Sequence, residues 1–218
     1  MPLLKKINIG DHTHGLIWEL TEDENFFMGR LPDRAFHDVV LRDALPRRRA
    51  EILMGKFLIY TLTKQLFIKD KNNKPFLENS SELISISHSK NLVFALVSSK
   101  LCGIDIQYYT PRIERIAWRV MNEEKVARID TNKAQLHWHI YWCAKESLYK
   151  AYGKRGLHFK NDIKINPFDI VPETSENPFL ITEGSVETEN IHKDFSIYFT
   201  TIENDSEHFA LVIALEKI

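Results

Sequence analysis

The 218-residue chain has only two cysteines, Cys102 and Cys143, and neither has a second cysteine at the spacing of a zinc knuckle or a redox pair. Both read as small, buried, reduced apolar side chains. No stretch approaches the ~20 apolar residues of a membrane span, and Met1-Pro2-Leu3-Leu4-Lys5-Lys6-Ile7 lacks the apolar core of a signal peptide. These absences predict a cytoplasmic protein with no membrane attachment. An excess of charge of one sign is also missing. The net charge of −1 argues against a general nucleic-acid binder, whose affinity rests on a strongly basic surface. A Walker loop, a Rossmann glycine fingerprint, an HExxH helix and a GxSxG elbow are all absent, which removes the commonest nucleotide, zinc and serine-hydrolase chemistries.

What is present is the composition of a globular protein, 44% hydrophobic and 27% charged, in a chain long enough to bury a core without disulfides or a structural metal. Gly15 to Leu20 reads as a short strand, and a helix is expected over Glu22 to Met28 with Thr21 as its cap. From Arg47 to Phe67, Ile52, Leu53, Phe57, Tyr60 and Leu66 recur near helical spacing behind Pro46, predicting a long amphipathic helix. Lys69 to Ser81 reads as a surface loop. Three strands follow, Leu83 to Ser87, Asn91 to Ser98 and Leu101 to Tyr108, with Ser98-Ser99-Lys100 expected to join the last two as a hairpin. Helical periodicity returns over Arg112 to Ile129 and Lys133 to Tyr152, the latter stopped by Gly153. Phe195 to Ile202 and His208 to Glu216 complete a second hairpin around Glu203-Asn204-Asp205-Ser206. The run from Asn91 echoes the run from His208, either because two lobes are similar or because hydrophobic strands share a composition.

The candidate chemistry begins with Asp105, a carboxylate inside the apolar run Gly103-Ile104-Asp105-Ile106. An ionised group there needs a cation or hydrogen-bond donors to offset its desolvation. Glu146 and Lys150 lie four apart on one helical face, with Trp142 a turn earlier; on spacing alone they could be a surface ion pair. The basic groups Arg47-Arg48-Arg49, Lys69 with Lys71 and Lys74, and Lys145, Lys150, Lys154 and Arg155 could be solvated faces or could converge on an anion.

In chain order, Ile86-Ser87-His88-Ser89, Gly103-Ile104-Asp105-Ile106 and Trp142-Cys143-Ala144-Lys145-Glu146-Ser147 with Lys150 make a combination that resembles the Sfp-type 4′-phosphopantetheinyl transferases. In that family the motifs read I-S-H-S, G-I/V-D and W-x-x-K-E-S/A-x-x-K. Upstream, Arg47-Arg48-Arg49-Ala50-Glu51 through Gly55-Lys56 is similar to the family's basic stretch, and Asn73-Lys74-Pro75-Phe76 to its G-K-P-x loop. The resemblance spans about residues 45 to 157.

The resemblance implies a mixed α+β fold of two similar lobes in a pseudo-dimeric arrangement, here residues 1–103 and 104–218, with coenzyme A lying between them. It implies a monomeric, Mg²⁺-dependent transferase that moves the phosphopantetheine arm of coenzyme A to a serine of an acyl or peptidyl carrier protein and releases adenosine 3′,5′-bisphosphate. Asp105 and Glu146 match the metal ligands, and Lys150 matches the lysine that contacts the coenzyme A phosphates. His88, Arg47, Arg48 and Lys74 match residues that hold its 3′-phosphate and neighbouring groups. A hard cation taking two carboxylates with phosphate and water oxygens is sound chemistry in itself. Glu146 either accepts the serine proton or orients a water that does. Many relatives carry an acid where this chain has Gln107, which could ligate only through a neutral amide oxygen. That change leaves open a relative that binds coenzyme A or a carrier without transfer. A basic and apolar docking surface for the carrier is expected at Lys145, Tyr108, Pro111 and the helix around Met121.

Overall fold

The run Leu-Val-Phe-Ala-Leu-Val-Ser from Leu92 shows no alternation because every residue in it is buried, the signature of a strand covered on both faces. The structure, a computed structural model, describes residues 3–37, 45–121, 133–171 and 178–217. Strands β1 (Leu3–Asn8), β2 (Thr13–Glu19), β5 (Leu83–Ser89) and β6 (Leu92–Ser98) form an antiparallel sheet in the order β1-β2-β6-β5. Helix α1 (Pro46–Thr63) opens with proline at a position whose missing N–H would lack a helical partner anyway. It packs on β6, and its Leu53, Met54, Leu58 and Ile59 share one apolar core with Val93, Ala95 and Val97. Each of these leucine, isoleucine, methionine and valine side chains contributes about 1.5–3 kcal/mol through burial.

The second sheet follows the order β7-β11-β10-β9-β8, all antiparallel, from β7 (Cys102–Tyr108), β8 (Ile163–Ile165), β9 (Leu180–Thr188), β10 (Ile191–Asn204) and β11 (Glu207–Glu216). Two residues with left-handed backbones, Asp205 and Ser206, turn β10 into β11, as a tight hairpin requires. Helix α2 (Ile113–Val120) packs on α3 (Ala134–Tyr152), which lies across β7 and β11. Helix α3 stops at Gly153, whose φ of 72° ends the helix at no steric cost. The close fit of α3 on β7 depends on Gly103. A Cβ there would sit 2.6 Å from the Ala151 nitrogen and nearer still to the Ser147 oxygen.

Met1–Lys100 and Leu101–Ile218 are two compact units, and the chain is a mixed α+β protein. Four sequence expectations change. The helix over Glu22 to Met28 is a single 3₁₀ turn, Glu24–Phe27, capped by Asp23, whose carboxylate accepts the Asn25 N–H at 2.9 Å; Thr21 caps nothing. Helix α1 ends at Thr63 rather than Phe67, because Lys64 adopts a left-handed backbone with φ of 59°. The 69–81 segment is not all loop, since Pro75–Leu77 (β4) pairs with Phe67–Lys69 (β3). The hairpin across Ser98-Ser99-Lys100 does not form, because β2 and β5 occupy both edges of β6 while β7 pairs with β11. The expected extension of a helix from Arg112 to Ile129 lies beyond Met121 outside the described residues. No helix among the described residues is long and apolar enough to cross a membrane.

Candidate active site

Asp105 sits in the middle of β7, 6% exposed, and its charge is met from α3: the Lys150 ammonium donates to Asp105 Oδ1 at 2.7 Å and to the Ile104 carbonyl at 3.0 Å. Lys150 thus reaches across to the strand instead of forming only an intrahelical pair with Glu146. Glu146 lies close enough to feel both groups. Burial pushes its carboxyl above the usual carboxylate range, the Lys150 charge pulls it back, and the Asp105 charge raises it further. Two carboxylates and one ammonium therefore form a single electrostatic unit, held by one strand and one helix whose separation Gly103 permits. Gln107, two residues along β7 and half-buried, belongs to the same strand face as Asp105.

Tested as a magnesium site, this donor set fits. Asp105 and Glu146 offer hard carboxylate oxygens beside a single ammonium, and magnesium takes one or two carboxylates with its remaining positions left to water and phosphate. Among the described residues there is no cluster of three or more His, Cys, Asp or Glu side chains, so a protein cage of the calcium or zinc kind is not built here.

The second candidate group lies in the first unit, along a cavity of about 750 Å³ with Ile52, Leu66 and Ile86 in its wall and Arg34, His37, Arg48, Lys69 and His88 supplying positive or ionisable groups. Arg48, in the first turn of α1, donates to His88 Nε2 at 2.6 Å and to Glu51 at 2.9 Å, while His88 lies 3.4 Å from Glu51. A guanidinium is always protonated, so His88 accepts through Nε2 and carries its proton on Nδ1. Sequence reasoning named Arg48 and His88 but missed Glu51, although the three-residue spacing on α1 already placed it beside Arg48. Lys69 stood out in the sequence only as part of a basic group with Lys71 and Lys74, and Arg34 and His37 carried no signal.

Arg47 and Lys74 do not line this cavity. Arg47 donates to the main-chain carbonyls of Leu20, at 2.9 Å, and Lys90, tying the start of α1 to the ends of β2 and β5. Lys74 follows Asn73 in the β3–β4 turn, its N–H held by Asp70 Oδ1 at 2.9 Å. The docking expectation for Lys145 is overturned. The side chain is 4% exposed, and its ammonium donates to the carbonyls of Phe159 and Ile163, pinning the segment after α3. Met121 is likewise buried, whereas Trp118 of α2 is 49% exposed, Pro111 is exposed and Tyr108 is half-buried.

Residues 101–212, just over half of the 218-residue chain, match the profile of the 4′-phosphopantetheinyl transferase superfamily. The chain belongs to that family. A comparison with curated proteins gave no match. The family match contains Asp105, Gln107, Lys145, Glu146 and Lys150 but stops short of His88, Arg48 and Lys74. Family membership therefore rests on residues 101–212, within which the Asp105, Glu146 and Lys150 cluster lies, and the match does not reach the first unit's cavity.

Proposed function

We propose that the chain is an Sfp-type, magnesium-dependent 4′-phosphopantetheinyl transferase, a monomer of the cytoplasm that modifies a serine of an acyl or peptidyl carrier protein. The observation that carries this reading is the single electrostatic unit of Asp105, Lys150 and Glu146 inside the family-matched region. In this reading the first unit's cavity takes the adenosine 3′-phosphate end of coenzyme A, with Arg48 and His88 as its donors, and the second unit takes the diphosphate. Asp105, Glu146 and the Gln107 amide oxygen would hold the magnesium, which when bound neutralises charge on the diphosphate as its bridging bond breaks. Lys150 adds a fixed positive charge to the departing adenosine 3′,5′-bisphosphate. The carrier serine oxygen forms the new bond to the β-phosphorus, the bond to the bridging oxygen breaks, and the serine proton passes to Glu146 directly or through a water. Burial suits Glu146 to that task, because a raised carboxyl pKa makes a stronger base than an exposed carboxylate.

The neutral side chain at Gln107 favours one second reading, a relative that binds coenzyme A or a carrier without transferring the arm. Both are tested by mixing the chain with Mg²⁺, coenzyme A and apo carrier proteins and reading the intact carrier mass. Transfer is expected to at least one carrier. Glu146→Ala and Asp105→Ala are expected to lower the rate by roughly a thousandfold. Coenzyme A binding with no mass change on any carrier selects the second reading.

A further inference from the structure

We propose that Lys150 is an internal counter-cation whose ammonium holds the place at Asp105 that a divalent ion needs, so that metal entry is coupled to the arrival of a diphosphate that draws the ammonium away. The inference rests on the reading of Asp105 and Glu146 as the metal's ligands and adds an order of events to it.

Three observations converge. First, the ammonium donates a hydrogen bond to Asp105 Oδ1 at 2.7 Å, occupying the side of that oxygen a metal would approach, and it also holds the Ile104 carbonyl of the same strand. A divalent ion and an ammonium cannot both contact that oxygen without strong mutual repulsion at short range. Second, the pair is asymmetric in exposure: the Lys150 side chain is 29% exposed and the Asp105 side chain 8%, so the lysine is the partner nearer solvent. Third, the pair is asymmetric in freedom. Asp105 is fixed in a buried strand, whereas Lys150 stands in the last turn of α3 on a four-carbon stem able to swing by several ångströms.

Charge makes the coupling directional. With Lys150 in place, the two carboxylates and the ammonium sum to one negative charge; with the ammonium drawn to another anion, an incoming ion meets two. A diphosphate provides that anion and, through its own oxygens, further ligands. Metal alone should therefore bind weakly, and metal and diphosphate should assist each other. A lysine that served only to neutralise a buried acid would show the opposite sign on removal, since the site would lose order and bind metal no better.

The test reads metal binding without turnover. Mn²⁺ is titrated into the full chain with no coenzyme A present, and free ion is followed by its electron paramagnetic resonance signal. Lys150→Gln is expected to bind Mn²⁺ roughly tenfold tighter than the parent chain. Lys150→Arg, which keeps the charge and grips a carboxylate with a planar fork, is expected to bind it no tighter than the parent. Lys150→Gln binding Mn²⁺ equally or more weakly overturns the proposal. So does Lys150→Arg binding it more tightly, a result that remains readable if the glutamine variant does not fold. Failure of arm transfer to every carrier overturns the transferase reading separately and leaves these titrations to stand or fall by themselves.

Discussion

Both units set one long helix on an antiparallel sheet, yet they put their charged groups to different uses. In the first unit the polar groups of α1 stand at the edge of a cavity: Arg48 is half-exposed, and Glu51 and His88 share its contacts. In the second, the polar groups of α3 point into the packing against β7 and the segment that follows, where Lys145 and Asp105 are almost fully buried. An exposed cation can recognise an anion at low cost but does little for stability. A buried one fixes geometry, and the fold then depends on it. The family match at residues 101–212 falls in the unit whose charged groups are buried.

The strongest way to break that comparison is to move α3 off β7. Gly103→Ala puts a methyl group against the Ser147 carbonyl and the Ala151 nitrogen, main-chain atoms that cannot step aside. A loss of about 4 kcal/mol is expected in urea unfolding, with coenzyme A-dependent arm transfer lost alongside. A change within about 1 kcal/mol would mean that the helix is not held where Asp105 and Lys150 meet.

Lys145 and Lys56, the two buried lysines among the described residues, sharpen the contrast within the core itself. Lys145 serves two carbonyls, Phe159 and Ile163, and Lys56 on α1 donates to the Ala35 carbonyl at 2.8 Å. Lys145→Met should cost about 2–4 kcal/mol and Lys56→Met about 1–2 kcal/mol, read from denaturant midpoints. Equal costs would deny the second unit its greater dependence on buried charge.

Much of this was legible in the sequence, for identifiable reasons. Asp105 announced itself because a carboxylate in an apolar strand must have a partner, and α3 announced its end at Gly153. The partner of Asp105 was less legible. Spacing put Lys150 beside Glu146 on α3, but the ammonium bonds across to β7, and only tertiary packing could bring that about. The same limit explains the missing hairpin at Ser98-Ser99-Lys100. Alternating strands show that a sheet exists without showing which edge each strand takes. Lys145 misled because a lysine followed by Glu146 and Ser147 on a helix has the pattern of a surface residue. Its two carbonyl acceptors come from more than a dozen residues later, Phe159 in the segment after α3 and Ile163 at the start of β8.

On the rim the expected effects are smaller and fall on binding. Arg48→Ala should raise the KM for coenzyme A by roughly tenfold and change kcat by less than about threefold. With 3′-dephospho-coenzyme A the same substitution should add nothing further. A drop in kcat with unchanged KM would move Arg48 from recognition into the reacting centre and erase the division between the units.

The smallest effect is a response to pH, and it separates a buried histidine from an exposed one. His139 on α3 is fully buried and stacked on Tyr109, with Nε2 accepting the Thr110 N–H at 3.0 Å and Nδ1 donating to the Gln135 carbonyl. Burial holds its pKa below the usual 6.5, although its backbone hydrogen bonds oppose that shift. The unfolded chain therefore binds a proton more readily than the folded one. The contribution of His139 is complete above about pH 6.5 and is lost as the pH falls through that value towards the depressed one. His88, by contrast, has a side chain 40% exposed with Glu51 at 3.4 Å, whereas a protonated His139 would face, inside the core, a main-chain N–H it can no longer accept. Urea midpoints measured from neutral pH down to about pH 5 should fall for the parent chain and fall less for His139→Gln. An undiminished slope in His139→Gln would place the acid sensitivity elsewhere and remove this histidine from the set of buried polar groups on which the second unit depends.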